Sequence, residues 1–180
     1  MNGYFYHGIE SYPGCMGEIA QLMIKILNDG IIVRNQAEKY NDDKFNHVCL
    51  YRKNDEYDYN EEENLVHSAR NGWINNCFVF IINPQIEARK ATEEETDLVD
   101  EWRCDYNISP DNIVGIALPF EYINEYLNEQ NEYEKEDREL LRKSLTKIME
   151  IARQFNLIVC DSDKENFTDE LDSTIKHFKR

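Results

Sequence analysis

The sequence predicts a single α+β domain, and three observations lead to that fold class. Short apolar runs with the length of strands are interspersed with stretches of helical periodicity. The chain has 180 residues, a length that suits one globular unit with a sizeable hydrophobic core. Hydrophobic residues make up 41% and charged residues 31% of the sequence, a balance typical of a folded protein rather than a disordered one.

The chain opens with a predicted β-strand that carries a histidine. In Tyr4-Phe5-Tyr6-His7, successive side chains would point to opposite faces, so Tyr4 and Tyr6 share one face and Phe5 and His7 the other. Gly8 is expected to end this strand and to let another group approach the backbone. A neutral imidazole at a strand end can hydrogen-bond a sugar hydroxyl or a carboxamide. His7 is therefore either a ligand-binding residue or a satisfied histidine of an edge strand.

Helices are predicted where apolar residues recur at intervals of three and four. The first helix covers residues 16–28 and ends at Gly30, which can adopt a left-handed conformation. The longest covers residues 134–155 and presents one apolar stripe. A further helix is expected to begin at Pro119, and a last one at residues 168–178.

Apolar runs bounded by turn residues predict the remaining strands. The run at residues 77–82 is almost continuous, which favours a central strand that is buried on both faces. The other strands are expected at residues 31–33, 45–51, 101–106, 113–118 and 157–160. The charged residues 52–63 are predicted to form a solvated loop, and a mobile lid over a site is the alternative.

The charge of the chain limits its partners. The net charge is −16, whereas nucleic-acid binding depends on Lys and Arg side chains that neutralise phosphates. A nucleic-acid partner is therefore not expected, and a protein or small-molecule partner, or mimicry of an acidic surface, fits better. No apolar run approaches the ~20 residues of a membrane span, so no membrane partner is expected.

The cysteines and histidines show no metal-binding pattern along the sequence. The five cysteines are far apart and form no C-x-x-C pair, so structural zinc is not expected. Cys49 and Cys77 lie in apolar runs and are expected to be small buried side chains. An odd number of scattered cysteines suggests a reducing, cytoplasmic setting. A Cys–His dyad stays open, because such partners meet in space rather than in sequence.

Several motifs follow one another in the order and spacing of a known family. They are Tyr6-His7-Gly8, Ile26-Leu27-Asn28-Asp29-Gly30-Ile31, His47-Val48-Cys49-Leu50-Tyr51, Asp100-Glu101-Trp102-Arg103 and Ile108-Ser109-Pro110-Asp111-Asn112-Ile113-Val114-Gly115-Ile116. Over roughly residues 4–120, this order resembles the ADP-ribosyltransferase superfamily, and it is most similar to DarT-type transferases and RNA 2′-phosphotransferases.

The resemblance implies a fold and an activity. The fold would be an ADP-ribosyltransferase-like split β-sheet core at residues 1–120, with a helical extension at residues 121–180 packed on it as one globular unit. The enzyme would cleave NAD at the nicotinamide–ribose bond and transfer ADP-ribose to a protein or small-molecule acceptor. The alternatives are a non-enzymatic acidic interaction or immunity-type protein, and a nucleic-acid-modifying member of the same fold.

The resemblance also assigns the chemistry to two residues by position. Glu101 would be the catalytic glutamate, since cleavage of an N-glycosidic bond builds positive charge on the ribose and a nearby carboxylate stabilises that charge. Tyr51 would form an aromatic wall, because an aromatic ring can stack on the cationic nicotinamide.

The remaining NAD contacts implied by the resemblance come from the opening strand and from arginines. His7 would bind a ribose of NAD, and the backbone of Gly8 would hold the nicotinamide amide. Arg34 and Arg52 are the candidates for binding the diphosphate.

Overall fold

A seven-stranded mixed sheet organises the residues that a computed structural model describes, which are 3–33, 46–52, 77–96, 101–130 and 132–162. Its strands are β1 (Phe5–Glu10), β2 (Val48–Tyr51), β3 (Cys77–Ile82), β4 (Arg89–Lys90), β5 (Glu101–Cys104), β6 (Ile113–Leu118) and β7 (Ile158–Asp161). They lie in the order β4-β5-β2-β1-β3-β6-β7. All neighbours are antiparallel except β6 and β7, which are parallel. The predicted α+β class is confirmed.

Three α-helices accompany the sheet within the described ranges, and they are α1 (Met16–Asp29), α2 (Phe120–Asn128) and α3 (Lys135–Gln154). Short 3₁₀ turns precede β6 and α3. α1 and α3 were expected from apolar periodicity, and each buries one apolar stripe where α1 packs along α3. α2 was expected to begin at Pro119, which is instead its N-cap residue.

The strands of the sheet bury one face in the main core. Phe78, Phe80 and Ile82 of β3 join the apolar stripes of the helices there. Val79 and Ile81 point to the other face and form a smaller cluster with Tyr6 and Ala117. A strand that is buried on both faces needs apolar residues at every position, and β3 lies between β1 and β6 as a central strand should.

The opening strand is longer than its sequence suggested. The expectation that Gly8 ends it is wrong, because Gly8 pairs with Val79 and the ladder to β3 continues as far as Glu10. The alternation of its side chains is confirmed, since Phe5 lies in the main core and Tyr6 in the smaller cluster on the other face.

Residues 31–33 do not form the expected strand. Ile31 makes only an isolated bridge to Ile108, with hydrogen bonds of 2.9 and 3.0 Å between their backbones. Gly30 allows this close approach, because its φ of 85° is in the left-handed region and a Cβ there would overlap the carbonyl oxygen of Ile108.

Other predicted elements differ at their ends or lie outside the described residues. The strand expected at 45–51 begins at Val48, and the one expected at 101–106 ends at Cys104. Residues 53–63 of the predicted loop and the predicted last helix at 168–178 are outside the described ranges.

The segment after residue 120 contributes to the same core and the same sheet. Leu141 and Ile148 of α3 are fully buried in the main core. β7 extends the sheet by pairing with β6, from Gly115 opposite Ile158 to Leu118 opposite Asp161. The predicted boundary between residues 120 and 121 thus falls within the first turn of α2, inside one packed body.

A carboxylate of α3 caps α1. The backbone N–H of Gly17 donates to both carboxylate oxygens of Asp137, at 3.0 and 3.1 Å. The Tyr126 hydroxyl donates to the same carboxylate at 2.9 Å and accepts the N–H of Gly14 at 3.0 Å. Burial and the bond to Asp137 raise the pKa of Tyr126 to about 12. Cys15, the N-cap residue of α1, makes no side-chain capping bond, so this network replaces a local cap.

We predict that Asp137→Ala lowers the free energy of unfolding by about 2 kcal/mol, because hydrogen bonds to a charged group are lost and the Gly17 amide is left unpaired. Urea denaturation followed by circular dichroism measures the change. Glu136→Ala is the matched control, since Glu136 is the preceding, exposed residue of the same helix. Equal effects of the two substitutions would contradict the assigned capping role.

Candidate functional site

The strands that carry three of the predicted site residues are neighbours in the sheet. His7 lies on β1, Tyr51 on β2 and Glu101 on β5, and these strands are adjacent in the order β5-β2-β1. Tyr51 pairs directly with Glu101 on one side and with Tyr6 on the other. The Tyr6 and Tyr51 rings have centroids 6.3 Å apart. Residues separated by up to 95 positions along the chain are therefore brought to one region of the sheet.

The side chains of these residues divide between the two faces of the sheet. Tyr51 and Glu101 share the face of Tyr6, because directly paired residues point the same way. His7 points to the main-core face, where its ring stacks on Phe80 with centroids 6.4 Å apart. The structure does not bring the His7 imidazole and the Glu101 carboxylate together on one face.

His7 connects β1 to β2 through its side chain. Its Nδ1–H donates to the carbonyl oxygen of Cys49 at 2.9 Å, and the residue is 8% exposed. A carbonyl oxygen can only accept, so the proton must be on Nδ1. The ladder here is short, because β1 and β2 have one registered pair, Tyr6 with Tyr51, whereas β1 and β3 have six.

The other predicted NAD-binding residues lie near the same end of the sheet or outside the described ranges. The Arg52 guanidinium is 4.8 Å from the ring centroid of Phe5 and 5.4 Å from that of Trp102. Gly8 lies inside β1 and pairs with Val79. Arg34 falls outside the residues that the structure describes.

Glu101 takes part in a largely buried ion pair. Its Oε1 accepts a hydrogen bond from Nε of Arg103 at 2.8 Å, and the two side chains are only 10% and 13% exposed. Arg103 also contacts the Glu95 carboxylate at 3.3 Å and donates to the Glu95 carbonyl oxygen at 2.9 Å. Glu95 in turn receives two hydrogen bonds of 2.8 Å from Arg89. This chain of charges links the candidate site to β4 at the edge of the sheet.

Two further residues, His47 and Cys49, lie beside Glu101. One ligand atom from each of the three side chains lies within 4.8 Å of the others, and the Cys49 Sγ to Glu101 Oε1 distance is 4.0 Å. Burial, followed by the charge of Arg103, lowers the pKa of His47. Burial, followed by the charge of Glu101, raises the pKa of the Cys49 thiol to about 11. At neutral pH the cluster therefore holds a neutral imidazole and a protonated thiol.

Sequence reasoning did not connect these residues. Cys49 was expected to be a small buried side chain, but it is half-buried and faces polar groups. The signal in the sequence is the His47-x-Cys49 spacing, which places both side chains on one face of an extended segment. Their proximity to Glu101 depends on the pairing of β2 with β5, which no local pattern reveals.

A separate cleft of about 250 Å³ lies between the C-terminal parts of α1 and α3. Its walls include Leu27, Ile151 and Phe155, together with the turn at Pro110. None of its lining residues is a predicted site residue, so it is a different feature of the surface.

Comparisons of the chain with protein-family models, with curated proteins and with solved structures give no match. Among the described residues, none of the helices combines the length and the apolar character needed to cross a membrane.

We predict that Arg103→Gln lowers the free energy of unfolding by about 3 kcal/mol, because it leaves the buried Glu101 carboxylate without its counter-charge. Arg89→Gln is the matched control, since Arg89 also pairs with Glu95 but is 47% exposed. Denaturant unfolding of both variants measures the difference. A loss for Arg103→Gln no larger than that for Arg89→Gln would contradict the assigned stabilising role of the buried pair.

Proposed function

We propose that the protein is an NAD-dependent ADP-ribosyltransferase that cleaves the nicotinamide–ribose bond and transfers ADP-ribose to a protein or small-molecule acceptor. The observation that supports this most is the adjacency of β5, β2 and β1, the strands that carry Glu101, Tyr51 and His7. The resemblance in sequence requires these residues to act on one ligand, and adjacent strands are the simplest way to meet that requirement.

Glu101 and Tyr51 would form the part of the site where the bond breaks. They are directly opposite each other on one face, and the Cβ atoms of such a pair lie about 5 Å apart. Tyr51 would stack against the nicotinamide ring while the Glu101 carboxylate faces the ribose next to it. The carboxylate would stabilise the positive charge that develops on the ribose.

Arg103 would position the carboxylate of Glu101. Its Nε holds Oε1 at 2.8 Å, so the second oxygen can turn toward a ribose hydroxyl without loss of the ion pair. A carboxylate whose orientation is already set needs less reorganisation when charge develops on the sugar.

NAD would extend around one end of the sheet. Tyr51 ends β2, Glu101 begins β5 and Phe5 begins β1, and the antiparallel pairing brings these three ends together. The nicotinamide half would lie on the face of Glu101, and the adenosine half on the face of His7. Arg52, which follows β2 directly, would meet the diphosphate between them.

A non-enzymatic acidic interaction protein is the second candidate. The observation that favours it is the ion pair of Glu101 with Arg103, which can be purely structural. The net charge of −16 suits a basic protein partner and remains unfavourable for the third alternative, nucleic-acid modification.

We predict that Glu101→Gln reduces the release of nicotinamide from NAD by at least about 100-fold, because an amide cannot stabilise the ribosyl cation. Nicotinamide is quantified by chromatography, and circular dichroism verifies the fold. Glu94→Gln, at an exposed acidic residue, is the control and should retain full turnover. If the purified protein neither binds millimolar NAD in calorimetry nor releases nicotinamide, the interaction-protein hypothesis takes its place.

We also predict that His7→Ala weakens NAD binding about tenfold, equivalent to about 1.4 kcal/mol of binding free energy. Calorimetric titration with NAD gives the affinity, and thermal unfolding gives the effect on stability. His7→Gln should restore part of the affinity, because its amide can still donate to the Cys49 carbonyl oxygen. A lower melting temperature with unchanged affinity would assign His7 a structural role only.

A further inference from the structure

The cluster beside Glu101 has the donor set of a transition-metal site. His47, Cys49 and Glu101 supply a nitrogen, a sulfur and an oxygen atom that lie within 4.8 Å of one another. We propose that these three side chains bind one zinc ion, in a site whose fourth position is taken by water or an exogenous ligand.

The backbone holds the three ligands in place. His47 lies at the bend that immediately precedes β2, and Cys49 lies within β2. Their ligand atoms nevertheless lie within 4.8 Å of each other and of Glu101. Glu101 lies on β5, which pairs with β2 along its whole length from Val48 opposite Cys104 to Tyr51 opposite Glu101. Sites built on paired strands are positioned more accurately than sites on loops.

The types of ligand select zinc over the common hard cations. Imidazole, thiolate and carboxylate all bind Zn²⁺, whereas Mg²⁺ and Ca²⁺ take oxygen ligands. Zinc bond lengths place tetrahedral ligands about 3.5 Å apart, so the three donor atoms need to close by roughly 1 Å. When the ion binds, the S–H bond of Cys49 breaks, a sulfur–zinc bond forms and the proton passes to solvent. Three protein ligands leave one position open.

Charge balance is also met in this cluster. The Cys49 thiolate and the Glu101 carboxylate together neutralise the two positive charges of the ion. Arg103 is a nearby cation that would repel the ion. Its guanidinium charge is compensated by the Glu95 carboxylate at 3.3 Å, and it also donates a hydrogen bond to the Glu95 carbonyl oxygen at 2.9 Å. Oε1 of Glu101 lies 4.0 Å from Cys49 Sγ and also accepts the hydrogen bond of Arg103. It would bind the ion with one lone pair and keep Arg103 as its outer-shell partner with another, as metal-binding carboxylates do.

The zinc site stands independently of the proposed transferase activity. Only one consequence rests on that proposed function: zinc and the ribose of NAD would compete for the Glu101 carboxylate, so zinc would inhibit turnover. The decisive measurements contain no NAD, and they can therefore fail or succeed whatever the outcome of the turnover assay.

The test uses the full chain, stripped with a chelator and then dialysed against zinc chloride or cobalt chloride. We expect one zinc per chain by elemental analysis. The cobalt form should show a thiolate-to-cobalt charge-transfer band in the near ultraviolet, which carboxylates of the acidic surface cannot produce.

Substitutions of the three side chains test which of them bind the ion. Cys49→Ser should abolish the charge-transfer band, and His47→Gln and Glu101→Gln should each weaken zinc binding at least about tenfold. Cys15→Ser is the matched control, because Cys15 is also half-buried but precedes α1. Absence of bound zinc in the unmodified protein would overturn the proposal, as would a band that survives in Cys49→Ser. If Cys49→Ser does not fold, the cobalt form of the unmodified chain decides: absence of a thiolate-to-cobalt charge-transfer band rejects the site.

Discussion

The alternation of side chains across β5, β2 and β1 is the constraint on which the rest of this structure depends. One face of these strands is apolar, because it contributes to the main core together with the buried stripes of α1 and α3. Polar groups are therefore collected on the opposite face, where Cys49, Glu101 and Arg103 meet. A shift of one residue in the pairing of β2 with β5 would move this whole set into the core, so burial of the apolar face also sets the register of the candidate site.

The charged residues of this region have a structural as well as a chemical consequence. β4 at the edge of the sheet consists of two exposed basic residues, Arg89 and Lys90, which discourage pairing with another chain. Arg89 binds Glu95, Glu95 binds Arg103, and Arg103 binds Glu101. The protected edge is thus connected with the carboxylate to which both the transferase and the zinc proposals assign a role.

Much of the secondary structure could be predicted because it depends on local patterns. The continuous apolar run of β3 indicates a strand that is buried on both faces, and the apolar stripe of α3 indicates a helix that is buried on one side. Strand ends were less accurate, since the end of β1 depends on its pairing with β3 rather than on Gly8. The cap of α1 could not be predicted at all, because Asp137 is 120 residues away from Gly17 in the sequence.

The sequence by itself determined the α+β class, the positions of the main helices and strands, the apolar stripe of α1 and which residues of β1 share a face, because these follow from residue spacing. Only the tertiary structure decided which strands are neighbours. It placed Glu101 beside Tyr51, Cys49 and Arg103 and directed His7 to the other face. The physical reason is that strand order and register are set by the packing of the whole core, whereas a sequence pattern specifies only the local direction of each side chain.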